Sequence, residues 1–230
     1  MANICYTHYF FYSEEKTKVE KLRERLLKAI FVNQEVKEKA TIKNYEKIDI
    51  VNTNNIPFEQ RNTKNIMEKL NMNTSMLGEN EYTTIQYLID TIYQKDKYFV
   101  FEICCTNCWT LKPKSLIEMT KQLNDENLKM AFVAQEPYMF IFVKYDKEKI
   151  FCPEDYYFDY YYEDINYINK KCPEFKAIIE TPYHEYTEEF AQKVFGTTNI
   201  KKIQKRCKEI NKISKESYII PVKYQEYPEY

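Results

Sequence analysis

The chain predicts an α+β fold: an antiparallel-rich sheet with helices on one face and a mainly helical C-terminal extension on the other. Three observations predict it. Between Lys97 and Tyr145 the pattern runs strand, tight corner, helix, strand, turn, strand. The first thirty residues give another strand followed by an amphipathic helix. Finally, the strand ending at Tyr145 is apolar on both sides, with Phe140 and Phe142 opposing Met139, Ile141 and Val143, which requires cover on both faces of a sheet.

The elements follow in order. Ala2 to Tyr12 is aromatic and alternating, as a half-buried strand should be. Ser13 offers an N-cap, Glu14 and Glu15 complement a helix dipole, and Val19, Leu22, Leu26 and Ile30 form one apolar stripe. Residues 33–80 hold ten Asn and read as an irregular insertion, with a short strand at Ile48–Val51 and a short helix near Asn65–Leu70. The spacing of Ile85, Leu88, Ile89 and Ile92 predicts a helix over Thr83–Gln94, so the whole insertion covers 33–95.

In Tyr98–Cys105 one side of the pleat shows Phe99, Phe101, Ile103 and Cys105, and the other Tyr98, Val100, Glu102 and Cys104. Pro113 suits the first turn of a helix whose inward stripe is Leu116, Met119 and Leu123. Leu128–Ala134 and Tyr138–Tyr145 form a hairpin about Gln135, Glu136 and Pro137. Residues 1–146 thus make the main domain and 147–230 an extension packed on the sheet. Within the extension, Tyr156–Ile168 fits a helix through Tyr157, Tyr161, Ile165 and Ile168, although Tyr156, Phe158, Tyr160 and Tyr162 also alternate; the helix is the expectation. Asn199–Ser217 is a helix lined by Ile200, Ile203, Cys207 and Ile210, and Tyr218–Tyr224 is an edge strand, because Pro221 has no N–H for a ladder.

Composition bounds the function classes. In 230 residues there are 22 Tyr and 14 Phe against 2 Gly, so the core is aromatic and no glycine-rich phosphate loop can be written. The net charge of -1 excludes recruitment of nucleic acid by a bulk field, yet it conceals a dipole. Residues 151–165 carry five acids and no base, whereas 199–217 carry seven bases and two acids. No apolar run of spanning length and no signal peptide is evident, so a cytoplasmic protein with no membrane contact is expected. Seven cysteines in a chain this long suggest reduced thiols.

Met1-Ala2-Asn3-Ile4-Cys5 before a strand and helix, Phe101–Trp109 running into Pro113, and Glu136-Pro137 in a turn carry a resemblance. On these residues the chain resembles the YubB-type ferredoxin-like domain of phage and plasmid proteins over 1–31 and 97–145, with Ile4 in place of that family's tryptophan and Tyr138 in place of its glycine. The resemblance implies a ferredoxin-like split βαβ sheet and a mobile-element origin; it implies no catalytic residues.

Chemical motifs are sparse. Cys105 and Cys108 have the Cys-x-x-Cys spacing that serves zinc or a redox disulfide, but no second pair is written in the chain, and buried thiols are the expected reading. Of the two histidines, His8 lies in an aromatic strand and reads as packed, while His184 precedes Glu185 in a loop. No metal and no cofactor are expected.

Three function classes stay open. The leading one is a non-enzymatic, anti-CRISPR-like inhibitor that contacts a host defence or nucleic-acid-handling complex, whether protein or ribonucleoprotein. It would act through an acidic, tyrosine-rich band of Asp155, Tyr156, Asp159, Tyr160, Tyr162 and Glu163. The alternative is an RNA or single-strand binding module using the basic helix 201–215, with Lys201, Lys202, Lys205, Arg206, Lys208 and Lys212 on phosphate. The third is an enzyme with a site near His184 or Cys108.

Overall fold

A computed structural model describes residues 4–31, 37–43, 46–77, 83–108, 111–123, 125, 127–136, 141–152, 156–161, 172–174, 177, 188–213 and 218–227, with the side chains of 37–49, 108, 141, 157 and 159 outside that description. Strand β1 (Ile4–Ser13) leads into helix α1 (Lys16–Ile30). Ser13 does not occupy the N-cap; Glu15 does, and the Ser13 hydroxyl instead accepts the Glu15 N–H at 3.1 Å in the turn before it. The stripe of Val19, Leu22, Leu26 and Ile30 is buried as its spacing predicts.

The segment expected to be irregular holds regular structure. Strands β2 (Lys37–Lys43) and β3 (Glu46–Asn52) form a hairpin that extends the sheet, followed by short helices α2 (Phe58–Arg61) and α3 (Thr63–Lys69). Asn62 caps α3, its Oδ1 accepting the N–H groups of Lys64 and Asn65 at 3.0 and 3.3 Å.

The helix expected over Thr83–Gln94 is replaced by strands β4 (Thr84–Ile89) and β5 (Tyr93–Lys95). A bulge explains the misleading period. Ile85 pairs with Cys105 and Tyr87 with Cys104, so Gln86 is extra, and Ile85 and Leu88 both reach the same core although three residues apart. Strand β6 (Tyr98–Cys108), helix α4 (Lys114–Gln122), and strands β7 (Lys129–Glu136) and β8 (Ile141–Tyr145) follow, with Leu116 and Met119 buried as expected.

The result is a mixed α/β molecule around a mostly antiparallel sheet of order β11–β8–β7–β1–β6–β4–β3–β2, with β5 also on β6. Among the described strands only β11 (Gln225–Glu226) runs parallel to its neighbour, β8. Tyr9, Phe11, Phe101, Ile103 and Phe132 on one face pack with Leu22, Leu26, Met67, Leu116 and Met119 of the helices. The opposite face, Phe10, Tyr12, Tyr98, Val100, Val133 and Phe142, is also buried.

Two strips lie on that second face. Asp146 folds the first down by accepting the backbone N–H groups of Ile150, Phe151 and Cys152 at 3.2, 2.7 and 2.7 Å, and Phe151 stacks on Phe10 at 4.5 Å. Buried Lys144 donates to the Cys152 carbonyl at 3.3 Å and lies 3.4 Å from a Glu226 carboxylate oxygen. The second strip is Val222 and Tyr224, whose hydroxyl accepts from Gln135 at 2.7 Å.

The remaining C-terminal elements have a core of their own. The helix expected at Tyr156–Ile168 is a strand over its described part, β9 (Tyr156–Tyr161), paired with β10 (Tyr218–Lys223) in a two-stranded ribbon; 162–168 lie outside the described residues. Alternation wins because Phe158 and Ile219, both fully buried, meet Phe190 of α5 (Glu188–Phe195) and Ile203, Cys207 and Ile210 of α6 (Ile200–Ile210). Among the described residues no helix is long and apolar enough to cross a membrane.

Candidate functional site

Helix α6 is the described element with the strongest one-sided charge. Asn199 caps it, its Oδ1 accepting the N–H groups of Lys201 and Lys202 at 3.1 and 3.3 Å, while Ile203, Cys207 and Ile210 anchor the opposite side. At 3.6 residues per turn, Lys201, Lys205 and Lys208 fall within an arc of about 60° and span about 10 Å along the axis, and Lys212 follows in the turn after the helix. All four are exposed, as is Lys202, and none has an ion pair with a described residue. Arg206 differs from its neighbours: its Nε donates to Glu174 at 2.7 Å, which raises the guanidinium's pKa further, and Nη1 lies 3.5 Å from Glu209. It serves the fold, leaving the lysines as the free cationic row.

The acidic band is only partly visible. Asp155, Tyr162 and Glu163 lie outside the described residues; the Asp159 backbone pairs with Ile220, and Tyr156 and Tyr160 are half-buried against the C-terminal core. What the ribbon does present is apolar: Tyr161 is 49% exposed and stacks with Tyr218 at 6.3 Å, and Ile220 is 38% exposed.

Strands β1 and β6 build a polar cluster that the sequence reading did not assemble. Their register sets His8 opposite Cys104, with Glu102 on the same face. His8 Nδ1 lies 3.2 Å from Glu102 Oε1, Nε2 lies 3.9 Å from Cys104 Sγ, and the Tyr93 hydroxyl donates to Glu102 Oε2 at 3.3 Å. Burial works against the charged imidazole, but its bonds to Cys104 and Glu102 prevail and raise His8 to about 10. The available signal was the spacing of Glu102 and Cys104 on one strand face; pairing with His8 needed the topology.

Burial holds three other thiols, Cys5, Cys105 and Cys207, toward their neutral form. Cys105 is fully buried in the main core and burial pushes its thiol far up; the Cys108 side chain and His184 lie outside the described residues. Burial, reinforced by Glu136, raises Cys5 to about 11, and burial, then Glu174, raises Cys207 to about 12. Among the described residues no three His, Cys, Asp or Glu side chains gather as for a metal ion. A shallow groove between α1 and the 90–92 turn is lined by charges that pair with one another, Lys16 with Glu20 at 3.1 Å and Arg23 with Asp90 at 2.6 Å.

Compared with protein families, curated proteins and solved structures, the chain matches none.

Proposed function

We propose that the chain is a binding protein in which a ferredoxin-like sheet carries a C-terminal unit that holds nucleic acid through α6. The fold reading is supported by the order β7–β1–β6–β4, antiparallel throughout, in which α1 lies between β1 and β4 in the chain and α4 connects β6 to β7, with both helices on one face. That order supports a split βαβ arrangement, with the β2–β3 hairpin and two short helices as insertions. The function reading rests on one observation, the row of exposed lysines at 201, 205, 208 and 212. Along the axis Lys201, Lys205 and Lys208 are spaced about 6 and about 4.5 Å, so a backbone laid along the helix meets one cation per turn.

Salt titration of labelled single-stranded RNA and DNA tests it. Four phosphate contacts should give a log-log slope near -3 by the usual ~0.7 per contact, and replacing the four lysines with Glu should abolish binding. Unchanged affinity, or binding without salt dependence, would reject the reading.

A second reading is favoured by the apolar patch of Tyr161, Tyr218 and Ile220, on the ribbon whose backbone includes Asp159. A protein or ribonucleoprotein of host defence would dock there, in the manner of an anti-CRISPR inhibitor, with Asp155, Tyr156, Asp159, Tyr160, Tyr162 and Glu163 at the contact. Capture of one host protein that survives nuclease treatment and is lost in Tyr161→Ala/Ile220→Asp distinguishes it from the first.

A further inference from the structure

The β1–β6 register places a sulfur, an imidazole and a carboxylate in a line. Cys104 Sγ is 3.9 Å from His8 Nε2, and His8 Nδ1 is 3.2 Å from Glu102 Oε1. Each ring nitrogen therefore has one partner. We propose that Cys104 is a nucleophile for acyl transfer, with His8 holding and returning its proton and Glu102 orienting the imidazole.

The geometry argues for this beyond simple packing. Glu102 has no exposure, and a carboxylate removed from water is costly unless paired and hydrogen-bonded; Tyr93 and His8 supply those partners. With Nδ1 held by a carboxylate, the imidazole directs Nε2 at Cys104, the direction a nucleophile's proton partner requires. The ring stays in place because Tyr87 meets it edge-on at 6.2 Å. The groups facing His8 are thus Glu102 and Cys104 from β6 and Tyr87 from β4, with Tyr93 of β5 behind Glu102.

Solvent reaches the line from the His8 end. The imidazole is 32% exposed and the adjoining Tyr6 50%, whereas Cys104 is 2% exposed, so the substrate is a small activated acyl ester or thioester rather than a folded protein. In the reaction Cys104 Sγ adds to the acyl carbon, its proton resting on His8 Nε2. Collapse breaks the bond to the leaving group, which takes that proton, and a thioester remains on Cys104. Water then cleaves the thioester, releasing the acid and returning the proton to the sulfur. No oxidant, reductant or metal enters.

The test is p-nitrophenyl acetate with the full-length folded chain, following p-nitrophenol release and locating the acetyl group by peptide mass spectrometry. One acetyl per chain is expected on Cys104, at least ~10-fold faster than on Cys5, Cys105 or Cys207; this comparison uses the unaltered protein and does not depend on a variant folding. His8→Gln and, separately, His8→Asn should slow acylation ~100-fold or more, the scale of positioned acid-base help. Glu102→Gln should slow it less and in a pH-dependent way, the deficit narrowing at alkaline pH, which a merely structural residue would not produce. The acylation is followed with no nucleic acid present, so this proposal and the nucleic-acid reading fail separately. Equal labelling of all the cysteines, labelling only after denaturation, or an unaltered rate in both folded His8 variants would overturn it.

Discussion

A fully buried carboxylate two residues from a buried thiol makes the stability of this sheet depend on pH through His8. In the folded chain His8 stays protonated up to about 10, against 6.5 as the ordinary value, because its bonds to Cys104 and Glu102 outweigh burial. Stabilisation from a raised pKa is present in full below about 6.5 and is lost as pH climbs through the folded value near 10. Urea titrations at neutral and alkaline pH should show the unaltered chain losing on the order of 1 kcal/mol more than His8→Gln, after allowance for the ring's partial exposure. Parallel pH profiles for the two proteins would show that His8 is neutral in the fold. A second single-residue prediction concerns Asp146, whose carboxylate accepts three backbone N–H groups. Asp146→Ala should cost about 2–4 kcal/mol by leaving those donors unpaired, and Phe151 should come off Phe10, which a near-ultraviolet dichroism change would report. At this scale the sequence yields half of each site. Strand alternation puts Glu102 and Cys104 on one side, but His8 is 94 residues from Glu102, and a contact so distant has no local signature.

Among the elements, the helices α1, α4 and α6 were legible because each needs only its own apolar stripe, and the stripe is local. Strands were misread where something non-local reshaped their pattern. The bulge at Gln86 sets Ile85 and Leu88 into one core at a helical interval, so β4 imitates a helix in its hydrophobic spacing. In β9 the alternating and helical patterns coexist, and the decision belongs to β10, whose Pro221 pairs with Phe158 although α5 and α6 lie between them in the chain. The lysine row of α6 depends on a helix that starts at a defined residue, and Asn199 defines it. Asn199→Ala should lower stability by about 1 kcal/mol, measured by denaturant unfolding, while Asn199→Asp should keep the cap and add favourable charge at the helix N-terminus. Equal losses for both would mean that the side-chain cap contributes nothing.

Over the whole molecule, the chain divides its apolar residues among three clusters, and this division sets how it comes apart. Two clusters lie on opposite faces of the same strands, so β1, β6 and β7 hold them together: Phe11 and Phe101 point one way, Phe10 and Val100 the other. The third, around Phe158, Ile203 and Cys207, shares no buried residue with the sheet among the described residues. Its described links to the sheet are narrow, chiefly Val222 and Tyr224 on the second face and the short parallel pairing of β11 with β8. Cooperativity requires shared burial, so local opening of the C-terminal unit should not demand opening of the sheet. Phe158→Ala removes a fully buried ring and should cost about 3–5 kcal/mol in that unit. Native-state hydrogen exchange should then show α6, β9 and β10 losing protection while β1, β6 and β7 keep theirs, and Phe101→Ala should expose both regions of the sheet core. If Phe158→Ala released the amides of β1 and β6 to the same extent as those of α6, the three clusters would be one cooperative unit. The lysine row and the His8 cluster would then rise and fall in stability together rather than independently.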